Sequence, residues 1–172
     1  MFKHETQVIK FLLQWYSVNA RNLPWRKKNT LNLSDPYFVF VSEYMLQQTT
    51  VNTVKNKFND FILKWPSLNK LAQTSEPNIL KFWSGLGYYS RARNLLKSAK
   101  IIKKNFKNNI PKTYDELIQL PGIGDYTAKA ILGIGYNKSV MPLDANIERI
   151  LVRLYAIDKP INKVKNKLKD LG

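Results

Sequence analysis

Apolar residues recur three and four positions apart along nearly the whole chain, and the two-residue alternation of a half-buried strand is not found. Val8, Leu12, Trp15 and Val18 predict a first helix from Thr6 to Asn19. A break follows at Pro24, within Arg21–Arg26, and then a polar stretch over 27–34 that reads as a surface loop. Asp35 before Pro36 is an N-cap followed by a first-turn proline, and the helix it opens carries Tyr37, Phe40, Val41, Tyr44 and Met45. Val51, Val54, Phe58, Phe61 and Ile62 mark a helix ending before Pro66, and a short helix covers 67–73. Ser75 and Pro77 open another, through Trp83, which Gly85 and Gly87 stop. Ala92, Leu95, Ala99 and Ile102 form the inner face of a long helix over 88–106. Thr113 with Glu116 is a capping box for a helix ending at Leu120. Pro121–Gly124 is a tight turn, and 125–136 is helical again. Ile147, Ile150, Leu151 and Leu154, then Val164, Leu168 and Leu171, define two more helices. The pattern predicts an all-α protein of about ten helices without internal repeats. No apolar layer follows the last helix, so the chain is expected to be shorter than its architecture.

Composition narrows the class. The 172 residues suit one large domain or two small ones, and 44% hydrophobic against 23% charged content argues against a disordered chain. With no cysteine, disulfides, thiolate zinc sites, cysteine-bound iron–sulfur clusters and cysteine nucleophiles are excluded within this chain. A single histidine, His4, excludes a histidine triad or a multi-histidine metal site. The longest apolar runs, such as Phe38–Val41 and Ala130–Tyr136, fall far short of the roughly 20 residues a bilayer requires. The N-terminus is polar from its third residue and is no signal peptide, so a cytoplasmic protein without a membrane partner is expected. Lys and Arg number 28 against 12 acidic residues, a net charge of +16 that points to nucleic acid. Coding bias toward Lys, Asn and Ile would produce the same excess without such a partner.

Twelve acidic residues are few enough to question singly. Glu5, Asp35, Glu76, Asp115, Glu116 and Asp125 lie at helix starts, where the helix dipole favours them, and Asp60, Glu148, Asp158 and Asp170 sit among polar neighbours. Two remain. Glu43 lies within Phe38–Leu46, where a buried carboxyl would have a raised pKa and act as an acid near neutrality. On spacing alone, an ordinary glutamate on a wet helix face is as good a reading. Asp144 precedes a helix, where an N-cap is the ordinary role, and a cap also fixes the direction of a carboxylate. Gly122 and Gly124 let the chain turn tightly between two helices and expose amides suited to a phosphate; the alternative is a generic helix pair. Gln47-Gln48-Thr49 and the segment Gly85–Arg93, with Leu86, Tyr88 and Tyr89, put amide and aromatic groups beside loops. Such groups stack on bases, or simply meet solvent and pack at a helix start.

Five strings carry a resemblance: LPWR (Leu23–Arg26), SEYMLQQT (Ser42–Thr49), GLGYYSRARNL (Gly85–Leu95), LPGIGDYTA (Leu120–Ala128) and LDANI (Leu143–Ile147). In this order and spacing the sequence resembles the adenine DNA glycosylases of the MutY type, within the helix-hairpin-helix glycosylase superfamily. The resemblance implies a six-helix barrel over 29–137, with the helix-hairpin-helix at about 113–136, and an incomplete second helical part from 1–28 and 138–172. It implies hydrolysis of the N-glycosidic bond of adenine mispaired with 8-oxoguanine or guanine in double-stranded DNA, by a monomer. Glu43 matches the catalytic acid, Asp144 the catalytic aspartate, and Tyr126 an assisting tyrosine. Trp25 and Arg26 match residues around the adenine pocket, and Gln48 and Tyr88 match residues that enter the base stack. Thr49 and Leu86 lie in the same DNA-contacting strings, and Gly122 and Gly124 match the backbone-holding hairpin. The family's 4Fe–4S cluster is expected only in a longer chain, as is the domain that recognises 8-oxoguanine. Two departures stand out: an insertion within 27–34, and Ala145 where the family usually has glycine. An endonuclease III-like glycosylase with abasic-site lyase activity is one alternative. Its lysine nucleophile would fall where Tyr126 stands, with Lys129 three residues on. A catalytically inactive DNA-binding remnant is the other.

Overall fold

The computed structural model describes residues 5–26 and 34–171, so His4 and most of the 27–34 insertion lie outside the described residues. Every regular element among them is helical: α1 (Glu5–Asn19), a 3-10 turn (Pro24–Arg26), α2 (Pro36–Leu46), α3 (Val51–Lys64), α4 (Leu68–Ala72), α5 (Glu76–Trp83), α6 (Ser90–Asn105), α7 (Tyr114–Ile118), α8 (Asp125–Ala130), a π turn (Ile131–Gly135), α9 (Ala145–Leu154) and α10 (Ile161–Asp170). These are the predicted elements, their ends shifted by a few residues. One differs in kind. The helix expected over 125–136 widens into the π turn, which sets the Gly135 backbone against the start of α2; a Cβ there would lie 3.1 Å from Pro36 Cα.

α2 is the central rod. Asp35 caps it, accepting from the Tyr37 amide at 2.8 Å. It packs against the 3-10 turn, α3, α6, α8 and the π turn, and every residue from Val39 to Met45 is buried. A helix apolar on all sides must be enclosed, which explains why its neighbours surround it. α4 and α5 pack on α6, whose predicted inner face (Ala92, Leu95, Ala99, Ile102) is fully buried. The capping box of Thr113 and Glu116 opens α7 as expected.

The apolar residues form two separate cores. The larger runs from Leu23 to Leu132 in sequence; the smaller joins Leu151, Val164 and Leu168 where α9 packs on α10. α1 belongs to neither. The apolar residues that mark it as a helix stand in solvent among the described residues, Trp15 at 61% and Val18 at 84% exposure. Periodicity specifies that a segment forms a helix with an apolar face; it does not specify what covers that face.

Candidate active site

Glu43 occupies the middle of α2. With Val39–Met45 buried on every side, the helix has no wet face there, and Glu43 is 7% exposed. Burial raises its carboxyl pKa from 4.5 to about 7, against the opposing pull of the Arg26 guanidinium. The group therefore holds or releases a proton near neutral pH.

Arg26 is brought to it by the LPWR segment. The Arg26 amide donates to Leu23 O at 2.9 Å, closing the 3-10 turn, while Leu23 and Trp25 plug into the core. The Trp25 indole lies edge-on to Phe58 at 5.3 Å, so this residue, expected around a pocket, backs the site from within the core. Arg26 itself is half-buried, lines a cleft with Tyr16, Ser34 and Ile134, and leaves its Nε buried and unpartnered among the described residues.

Asp144 caps α9. Its Oδ1 accepts from the amides of Asn146 at 3.0 Å and Ile147 at 2.8 Å, which fixes the carboxylate's direction. Ala145 is simply the first residue of that helix, exposed and without strain. Tyr126, in the first turn of α8, ties the site together. Its phenol pKa is pushed up to about 12, first by burial, then by the negative charges of Glu43 and Asp144, with Arg26 opposing. Glu43, Asp144 and Arg26 thus all lie within electrostatic reach of the one phenol of Tyr126.

The hairpin between α7 and α8 is anchored to α2. The Pro121 carbonyl accepts from the Tyr44 hydroxyl at 2.5 Å and from Ser98 at 3.1 Å, and Gln47 Nε2 donates to Gly122 O at 3.1 Å. Gly122 has φ +80, and a Cβ there would meet Asn94 Nδ2 at 2.9 Å and Tyr44 Cε1 at 3.1 Å. Gly124 precedes α8 with open space around it. Gln48 (φ 55) and Tyr88 (φ 45) are exposed, both left-handed and neither a glycine. Thr49 is half-buried, its hydroxyl 3.4 Å from Leu86 O. Leu86 is a core side chain, 5% exposed, with its carbonyl on the loop that carries Tyr88.

Two residues that matter were not singled out in the sequence. Tyr44 holds the hairpin, and Arg91 is buried with four carbonyl partners. The signal for Arg91 was present: it shares the spacing of Leu95 and Ile102 on the inner face of α6, a charge at a core position.

Among the described residues no group of three His, Cys, Asp or Glu could hold a metal ion, and no helix is long and apolar enough to cross a membrane. Without a cysteine, the chain offers a 4Fe–4S cluster no thiolate ligand.

The family model described as HhH-GPD superfamily base excision DNA repair protein matches residues 41–172. The chain is 46% identical over 149 residues to the adenine DNA glycosylase of Buchnera aphidicola subsp. Schizaphis graminum, covering 86% of this chain and 42% of that protein. It is 40% identical over 164 residues to the adenine DNA glycosylase of Homo sapiens, covering 91% of this chain and 30% of that one. The chain thus spans less than half the length of these relatives. Among solved structures, a thermostable thymine-DNA glycosylase matches with a TM-score of 0.77 at 25% identity, over 87% of this chain and 67% of that one. Endonuclease III in a non-covalent DNA complex shares the fold, with a TM-score of 0.73 at 18% identity over 99% of this chain and 78% of that one.

Proposed function

The chain belongs to the HhH-GPD superfamily of base excision DNA repair proteins, and on that footing we propose that it removes adenine mispaired with 8-oxoguanine or guanine from double-stranded DNA, by hydrolysing the N-glycosidic bond. The observation that carries this reading is a buried carboxyl, Glu43, protonatable near neutrality and sharing one phenol's electrostatic environment with a second, direction-fixed carboxylate, Asp144. Adenine leaves a deoxyribose poorly as an anion, so it needs a proton, and the sugar left behind carries positive charge. One acid and one carboxylate meet both needs.

The adenine is flipped out of the duplex into the site. Glu43 donates its proton to N7 of the base. The C1′–N9 bond breaks, its electron pair going to the base, and Asp144 stabilises the cationic sugar electrostatically or by a transient ester. Water adds at C1′ and returns a proton to a carboxylate. Tyr126 orients the groups by hydrogen bonding, Arg26 keeps Glu43 from rising further, and Trp25 supports Arg26 from the core. Gln48 and Tyr88 enter the base stack beside the lesion, flanked by Thr49 and Leu86, while the Gly122–Gly124 hairpin and the basic surface hold the phosphate backbone. We further propose that residues 29–137 form one helical part and 1–28 with 138–172 the second, with Leu23 and Trp25 reaching across into the core of the first. The chain acts as a cytoplasmic monomer.

Tyr126 also favours a glycosylase without lyase activity, because a phenol cannot form the imine that strand cleavage requires. Lys129 is engaged with Asp125 at 3.6 Å. The test is a labelled duplex with a central A·8-oxoguanine pair, incubated with the protein and then split with and without alkali. Breaks only after alkali support this reading. Breaks without alkali favour the endonuclease III-like alternative, and binding with no breaks at all favours an inactive DNA-binding remnant.

A further inference from the structure

We propose that Arg91 is a positioning residue: it rivets the loop of residues 84–89 to the end of α2, and so sets Tyr88 and Gln48 in the conformations from which they meet the base stack. The stacking role of those two residues rests on the proposed function above; the rivet itself is visible in the fold. Arg91 Nη1 donates to Tyr44 O at 3.2 Å and Met45 O at 2.7 Å, and Nη2 donates to Leu86 O at 2.7 Å and Gly87 O at 3.0 Å. Tyr44 and Met45 lie in the last turn of α2, where carbonyls lack helical partners; Leu86 and Gly87 are loop carbonyls. One guanidinium, 6% exposed, therefore satisfies acceptors from two segments that would otherwise be free to part.

Both terminal nitrogens of the fork are engaged, while Nε is buried without a hydrogen-bond partner among the described residues. The Trp83 and Tyr88 rings sit 5.5 and 5.8 Å from the guanidinium carbon. Trp83 Nε1 donates to Gly87 O at 3.1 Å, and Lys57 Nζ donates to the carbonyls of Phe82 and Ser84. This density of bonds coincides with strain. Gln48 follows the riveted carbonyl of Met45 by three residues, and Tyr88 follows that of Gly87 by one; both are held left-handed, where glycine would be the unstrained choice. Lys107, Asn108, Asn137 and Ala156 are left-handed too, at turns away from the fork, so the conformation alone marks no site; at Gln48 and Tyr88 it coincides with a backbone that the fork holds in place. Keeping side chains there is intelligible if the side chains themselves are used.

A merely structural Arg91 would support folding alone; a positioning Arg91 acts through Tyr88. A double-mutant cycle separates the two. The substitutions are Arg91→Lys, whose ammonium keeps the charge but cannot span four carbonyls as a planar fork does, and Tyr88→Ala. Both are made in a Glu43→Gln background, so that no base is released. The probe is a duplex with 2-aminopurine beside an adenine opposite 8-oxoguanine, whose fluorescence rises on unstacking. We expect Arg91→Lys to weaken mispair binding about tenfold and to lower the fluorescence rise, Tyr88→Ala to do the same, and the double variant to lose clearly less than the product of the two, its remainder over Tyr88→Ala being the share that passes through Gln48. Independent, multiplying losses overturn the proposal, as does an Arg91→Lys variant that melts lower but unstacks the duplex like its parent. If Arg91→Lys fails to fold, Trp83→Phe, which deletes one bond to the Gly87 carbonyl, replaces it: a milder loss that vanishes in the Tyr88→Ala background supports the rivet, and an additive loss refutes it. Failure of the parent chain to release adenine counts against the proposed function alone. Duplex binding without any fluorescence rise counts against the role given to Tyr88, and overturns this inference.

Discussion

Replacing Glu43 by glutamine should stabilise the protein while abolishing its chemistry, and the size of the gain is set by pH. Glutamine fills nearly the same volume but cannot ionise. In the folded chain the Glu43 carboxyl stays protonated up to about pH 7, whereas in the unfolded chain it ionises near 4.5. Between those values folding takes up a proton, so this group's contribution to stability is fully present below the lower value and is lost as pH rises through the upper one. The raised value corresponds to about 3 kcal/mol of cost once the buried group is ionised. The Gln variant escapes that cost. Its stability relative to the parent should therefore climb through the mildly acidic range and level off, about 3 kcal/mol higher, in mildly alkaline buffer. Urea unfolding followed by helical circular dichroism at a series of pH values measures the difference directly, provided the slopes of the two proteins agree. A stability difference that stays constant across the series would show that Glu43 ionises normally in the fold, and the general-acid argument would lose its physical basis.

Three further outcomes follow from the same geometry. Base release should decline as pH rises through about 7, and because the Arg26 charge holds the Glu43 value down, Arg26→Met should move that limb to higher pH; a limb that stays put or moves to lower pH contradicts the pairing. Gly122→Ala should cost more than about 1 kcal/mol and weaken duplex binding, since its φ is +80 and Asn94 and Tyr44 crowd the new methyl, whereas Gly124→Ala meets open space and should be mild; equal effects in thermal melts and binding titrations would refute the hairpin account. Borohydride present during turnover should trap almost no covalent protein–DNA adduct, because Tyr126 faces the site and Lys129 is paired with Asp125; efficient trapping, seen as a shifted band on a denaturing gel, would overturn the monofunctional reading.

The helices were legible in the sequence because their signals are local. Asp35-Pro36, the Thr113/Glu116 box and the spacing of Ala92, Leu95, Ala99 and Ile102 each act within a turn or two of helix. What covers a face is not local. Val8, Leu12, Trp15 and Val18 predict a helix correctly, yet their spacing could not tell that the apolar face they form is exposed among the described residues. Glu43 shows the same limit from the other side. Its apolar context left a wet face and a buried acid equally open, and only the assembly of neighbours around α2 decides between them. Trp25 and Leu86 sit in strings that carry the family resemblance, yet both side chains point into the core, so a string locates a region without assigning each side chain in it. The convergence of Arg91 on four carbonyls from two segments depends on distances no spacing rule encodes.

In the proposed reaction Glu43 and Asp144 act on the same sugar–base bond, one as acid and one as counter-charge. Single-turnover release of free adenine from an A·8-oxoguanine duplex, measured beside duplex affinity for the parent chain, Glu43→Gln and Asp144→Asn, tests it most directly. Both variants should bind the duplex like the parent and release adenine slower by about 10²-fold or more. Adenine release at the parent rate by either variant would contradict it.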